Sequence, residues 1–163
     1  MAAERLPGAP TLIGESGIPF DLQDKRAYRT GNFSMAVKAM DRSLRAMDDA
    51  LASYTIWNYT SDNTNERVDL WNDEDLSIFS RDQQADPTDI HSGGRGLSAV
   101  VRPYARATTG VPLRMSFDLR RRIFEFEFCH DPAISAPTEF FIPTYQYREV
   151  TVWKFLTGDM KWT

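Results

Sequence analysis

The sequence has one cysteine, two histidines and no excess of basic residues. Cys129 on its own closes no disulfide within the chain, so no covalent staple supplements the core. His91 and His130 fall in different halves, and no carboxylates stand at the spacing of a metal-binding loop. Neither a metal nor a cofactor is therefore expected. Ser92-Gly93-Gly94-Arg95-Gly96 has the glycines of a phosphate-cradling loop but lacks its lysine. Nineteen basic side chains against 23 acidic ones exclude a surface built to neutralise phosphates, so nucleic acid is not an expected partner. The first twenty residues hold no apolar run of signal-peptide length, and nothing later reaches the length of a membrane span. No transmembrane segment is expected, and a cytoplasmic location is the default. With 163 residues, the chain is also too short for a complete eight-fold α/β barrel, which needs about 250.

Core-forming material is plentiful, since 42% of residues are hydrophobic and 12% aromatic, too many for a disordered chain. Thr11-Leu12-Ile13 is a short β-favouring run that ends at Gly14-Glu15-Ser16-Gly17; it predicts a buried strand delivering a carboxylate to its C-terminal end. Val37, Met40, Leu44, Met47 and Leu51 recur at spacings of three and four, with charged residues on the other side, which predicts an amphipathic helix capped by Asn32 or Ser34. Ser53 to Tyr59 is β-branched and aromatic and predicts a second strand. From Thr60 to Gly94 apolar residues are sparse, and a connection of this length in a compact domain is usually functional or disordered. Leu97, Val100 and Val101 predict a short helix stopped by Pro103.

Beyond Val111 the period changes. Leu113, Met115, Phe117 and Leu119 alternate with polar partners, as do Phe124, Phe126 and Phe128 with Glu125 and Glu127, the signature of half-buried strands. Arg120-Arg121-Arg122 stands where a solvated hairpin tip would lie. Residues 139–142, 149–156 and 160–162 are further strand candidates, with Gly158-Asp159 turning the last pair. An α/β half followed by an all-β half is the expected order.

Where the first half places its strand ends and loops, three kinds of side chain gather: a carboxylate, Glu15; aromatics, Trp57, Tyr59 and Trp71; and amides, Asn58, Asn63 and Asn72. That mixture suits sugars. The apolar face of a pyranose packs on an aromatic ring, while amides and carboxylates exchange hydrogen bonds with hydroxyls and one carboxylate can attack the anomeric carbon. Each aromatic taken alone fits a core better than a sugar platform.

The runs Ile13-Gly14-Glu15-Ser16-Gly17-Ile18-Pro19-Phe20-Asp21, Tyr54-Thr55-Ile56-Trp57-Asn58-Tyr59 and Asp69-Leu70-Trp71-Asn72-Asp73-Glu74-Asp75-Leu76-Ser77-Ile78-Phe79-Ser80 together resemble glycoside hydrolase family 5, in its endoglycoceramidase-related glucosylceramidases and steryl β-glucosidases. Similarity continues through Ser92-Gly93-Gly94-Arg95, Val100-Val101-Arg102-Pro103-Tyr104 and Arg114-Met115-Ser116-Phe117-Asp118. The fold this implies is the C-terminal remnant of a (β/α)8 TIM barrel over residues 1–105, with strands and helices seven and eight, followed by an incomplete antiparallel β-sandwich over residues 106–163. The function it implies is that of a retaining β-glycosidase acting on a β-glucoside of ceramide, sterol or a similar lipid. Glu15 would then match the nucleophile, and Trp57 the aromatic of the cleaved sugar's subsite. Asn58, Tyr59, Trp71 and Asn72 would complete the substrate-binding set.

In such enzymes a second carboxyl protonates the leaving oxygen. The family carries it in an Asn-Glu-Pro motif on barrel strand four, and no such motif occurs here. Asn65-Glu66-Arg67 lies after the strand-eight match and is in the wrong place for it. A partner chain supplying the missing barrel strands is one expectation. A catalytically inactive remnant that binds carbohydrate or another protein is the alternative.

Overall fold

The computed structural model describes residues 9–70 and 72–148. The strand candidates at 149–156 and 160–162 and the turn at 158–159 lie outside the described residues, as does Trp71. Strand β1 (Leu12–Ser16) pairs in parallel with β2 (Ser53–Ile56), Leu12 opposite Ser53 and Ser16 opposite Ile56. Parallel strands need a crossover, here made by helices α1 (Leu22–Thr30) and α2 (Ser34–Asp49). α1 buries none of its residues, so no apolar stripe marks it in the sequence. α2 is the predicted amphipathic helix. The Asn32 side-chain oxygen accepts the Ser34 amide at its start, 3.0 Å away.

α2 ends at Asp49, two residues before the predicted stripe does. Leu51 takes a left-handed backbone conformation there, its amide donating to the Asp48 carbonyl while the Ala52 amide reaches the Met47 carbonyl. That is the Schellman closure usually served by glycine. It turns Leu51 away from the core that Ala36, Met40 and Leu44 form with Phe20 and Ala99. Met40 and Leu44 are almost wholly enclosed, and burial of a side chain of that size contributes about 1.5–3 kcal/mol.

α3 (Leu97–Val100) ends before Pro103, as its sequence predicts, and the remaining elements are strands. β3 (Tyr104–Ala107) runs antiparallel to β6 (Glu139–Phe141), and β4 (Gly110–Asp118) antiparallel to β5 (Ile123–His130). The three arginines form the exposed β4–β5 turn. Alternation fails at one place. The register shifts between Pro112 and Arg114, so one extra residue reverses the facing of the strand before it; Leu113 is exposed while Phe117 is buried. Phe140 of β6 packs edge-on against Phe124 and Phe126 of β5, which brings the two strand pairs into layered contact, as in a sandwich. No helix among the described residues is long and apolar enough to cross a membrane.

Arg102 ties the two halves together. Its guanidinium donates to Asp48 and Asp41 of α2 at 2.8 Å each, and to the Phe117 carbonyl of β4 at 3.5 Å. Two carboxylates sharing one buried cation leave the cluster with an excess negative charge. Burial therefore pushes the Asp48 carboxyl above its ordinary value, and Arg102 offsets this only in part. An acid whose pKa is raised by folding stabilises the fold fully below its unfolded pKa, and that contribution is lost as pH rises through the folded pKa. The stability of Asp48→Asn relative to the parent chain should accordingly increase as pH rises from about 3.5 to 7. Urea unfolding at the two ends of that range checks it, and a relative decrease would mean that Arg102 outweighs burial.

Candidate active site

β1 and β2 end side by side, and the ladder continues one step past them through the Trp57 amide, which donates to the Ser16 carbonyl at 2.8 Å. The C-terminal end of the parallel pair thus carries Glu15 on one strand and Trp57 just beyond the other. Gly17 lets them approach. A Cβ there would stand 2.0 Å from the Trp57 carbonyl oxygen and 3.0 Å from a Leu76 methyl, so no side chain fits without parting the strand ends. Gly17→Ala should cost about 1–3 kcal/mol by overpacking. Chemical denaturation measures this, and an unchanged midpoint would show that the strand ends yield freely.

An open pocket lies at this junction, lined by Glu15, Ser16, Gly17, Trp57, Asn72, Glu74 and Leu76. Of the residues singled out in the sequence, the fold brings Glu15, Trp57 and Asn72 together here. Asn58 and Tyr59 do not line it. The Trp57–Asn58 peptide is cis, and Asn58 turns into the neighbouring loop. Its amide donates to the Leu76 carbonyl, its own carbonyl accepts the Ile78 amide, and its carboxamide donates to Asp69 at 3.0 Å. Tyr59 is largely exposed, with its ring 5.6 Å from that of Phe79.

Asn72, Glu74 and Leu76 reach the pocket from the long connection, whose described residues enclose a polar core. Asp75, Asn63, Ser77 and Ser80 are fully buried and Arg95 nearly so. Arg95 meets the Asp75 carboxylate with two parallel bonds, Nη1 at 2.8 Å and Nη2 at 2.6 Å, and donates further to the Ser77 and Phe79 carbonyls and the Tyr28 hydroxyl. Its guanidinium lies 4.7 Å from the centre of the Phe20 ring and 5.6 Å from that of Tyr28. The Tyr28 hydroxyl donates to Asp75, and Asn63 Nδ2 does so at 3.2 Å. Burial first, then the Asp75 carboxylate, hold the Tyr28 phenol far above its ordinary range, so it remains a donor.

This clamp sets the position of the segment that carries Asn72, Glu74 and Leu76. Hydropathy patterning overlooks it, because Asp73, Glu74 and Asp75 read as one solvated acidic run although Asp75 is the buried member. The alternation of an acid turned outward and one turned inward appears only once Arg95 is known to be enclosed. Glu74 and Leu76 are likewise pocket residues that the sequence reading missed.

Chemically, the pocket offers one carboxylate at a strand end, an indole, an amide and a second carboxylate. These can stack on a ring, accept hydroxyl protons and supply a nucleophilic oxygen.

Known proteins share this arrangement of sequence and fold. Residues 102–163 match the model of the glycoside hydrolase family 5 C-terminal domain. A glucosylceramidase of Rhizopus delemar is 34% identical over 156 residues, spanning 88% of this chain and 23% of that protein. A glucosylceramidase of Cryptococcus neoformans var. grubii is 31% identical, spanning 94% of this chain and 23% of that protein. The crystal structure of Cryptococcus neoformans sterylglucosidase 1 superposes with a TM-score of 0.79 at 36% identity, over 88% of this chain and 22% of that one. The chain thus spans about a quarter of the length of the curated relatives it matches. Residues 102–163 thus belong to the glycoside hydrolase family 5 C-terminal domain, and the chain as a whole is similar to the C-terminal part of these glucosylceramidase- and sterylglucosidase-like proteins.

Proposed function

We infer that the chain is the C-terminal part of a retaining β-glycosidase acting on the β-glucoside of a ceramide, a sterol or a similar lipid. In this reading residues 1–105 form strands and helices seven and eight of a TIM barrel, and residues 106–163 its appended sandwich. Glu15 is the nucleophile. Its carboxylate attacks the anomeric carbon and forms a glycosyl ester as the bond to the leaving oxygen breaks; a second carboxyl protonates that oxygen, and water then releases the sugar. Trp57 stacks on the ring and Asn72 bonds a hydroxyl.

The observation that carries this reading is the meeting of Glu15, Trp57 and Asn72 in one pocket at the C-terminal end of a parallel strand pair, where barrel enzymes keep their chemistry. The proton donor comes from outside this chain, which has no Asn-Glu-Pro motif. Accordingly, the chain alone should leave an unactivated glucolipid intact. Adding a separately expressed segment with the six preceding barrel strands and that motif should start cleavage with retention of configuration. Continued inactivity of the mixture, together with saturable glucoside binding by the chain, would favour the binding-module alternative.

A further inference from the structure

Glu74 is the one carboxylate of the pocket to which the proposed reaction gives no task. Its side chain is exposed and lines the same pocket as Glu15, Trp57 and Asn72. The backbone around it is held more firmly than that of a surface turn. On its C-terminal side the Asp75 carbonyl accepts the Phe20 amide at 2.7 Å, and the Asp75 carboxylate is gripped by Arg95. One residue further, the Leu76 amide donates to Asp69 at 2.9 Å and the Leu76 carbonyl accepts the Asn58 amide. On its N-terminal side Asn72 and Asp73 both take left-handed backbone conformations, a tight turn that brings the segment back toward the pocket.

A carboxylate mounted this way is a preorganised acceptor. It presents two oxygens and no proton, and its natural complement is a pair of hydroxyl donors such as the vicinal diol of a sugar. Leu76 and Trp57, which line the same pocket, supply the apolar surface on which the ring's C–H face can rest. We propose that Glu74 is a specificity-determining residue that accepts hydrogen bonds from two neighbouring hydroxyls of the bound sugar, so that the pocket selects glycosides with both hydroxyls present. This rests on the reading of the pocket as a sugar site. It adds a discrimination between glycosides: an analogue lacking one hydroxyl forfeits a hydrogen bond to a charged acceptor, a stronger bond than one between neutral groups.

The test titrates the chain with methyl β-glucoside and with its monodeoxy analogues, following tryptophan fluorescence. Glu74 is exposed, so Glu74→Ala and Glu74→Gln should unfold at the midpoint of the parent chain. The parent chain should bind the glucoside at least tenfold more tightly than two of the monodeoxy analogues, those at adjacent carbons. Glu74→Ala should bind the glucoside about tenfold more weakly and no longer separate those two analogues from it. Glu74→Gln, which keeps one acceptor, should fall between. Unchanged affinity in Glu74→Ala, or an unchanged ranking of the analogues, would overturn the assignment while leaving the sugar site standing. Absence of glucoside binding by the parent chain would overturn both.

Discussion

Asp75→Ala should destabilise the protein by about 3–5 kcal/mol, the cost of leaving a buried charge without its partner. Both side chains of the Asp75–Arg95 pair are fully enclosed, so the orphaned guanidinium would keep only neutral neighbours among its described partners, the Ser77 and Phe79 carbonyls, the Tyr28 hydroxyl and the Phe20 ring. Tyr28 and Asn63 would lose an acceptor in the same step. Against a typical total of about 5–15 kcal/mol, such a loss unfolds a measurable fraction of molecules at ambient temperature. Denaturant titration reads it directly. The companion variant Asp75→Ala/Arg95→Met should recover a substantial part of the loss, because it removes the stranded charge along with its partner. A single variant as stable as the parent, or a double variant less stable than the single one, would show that the clamp does not hold the connection.

How far the sequence foretells this arrangement depends on what each segment buries. α2 is legible because its contacts are apolar and periodic, and Met40 and Leu44 fall where the period puts them. The connection from Thr60 to Gly94 is illegible for the opposite reason: its interior consists of Asn63, Asp75, Ser77, Ser80 and Arg95, residues whose burial is stabilised by mutual hydrogen bonds rather than by hydropathy. Leu113 illustrates a third case, in which a single bulge residue shifts an otherwise faithful alternation. β3 escapes notice because Tyr104-Ala105-Arg106-Ala107 has neither a β-branched residue nor a clean alternation, and its strand form comes from pairing with β6.

The site divides in the same way. Glu15 follows one β-favouring run and Trp57 lies within another, so their placement at a shared end follows from two strands being parallel neighbours. Asn72 reaches the same pocket only through the clamp, and Glu74 with it. Asn58 and Tyr59 adjoin Trp57 in sequence, but β2 ends at Ile56, the chain bends at Trp57, and Asn58 bonds to Leu76, Ile78 and Asp69 of the long connection instead. Adjacency along a strand therefore overstates adjacency in the pocket.

The largest catalytic effect is expected at Glu15. A 2,4-dinitrophenyl β-glucoside has a leaving group that departs without protonation, so the chain should release dinitrophenolate from it although it contains no acid in an Asn-Glu-Pro motif. Glu15→Gln keeps the size of the side chain and its place near the end of β1 but removes the carboxylate proposed as the nucleophile. The rate should fall by at least about 10³-fold, roughly 4 kcal/mol of barrier. Because Glu15 is exposed, the unfolding midpoint should not move with it, which separates lost chemistry from lost structure. Equal rates in the two proteins would assign the release to some other group.

The nucleophile itself can be identified by trapping. The chain is incubated with 2-deoxy-2-fluoro-β-glucosyl fluoride, whose fluoride departs unaided while the ring fluorine slows hydrolysis of the resulting ester, and the digest is mapped by mass spectrometry. A 2-fluoroglucosyl ester on Glu15 is the predicted result. The same adduct on Glu74 or Glu66, or an unlabelled chain, would contradict the account.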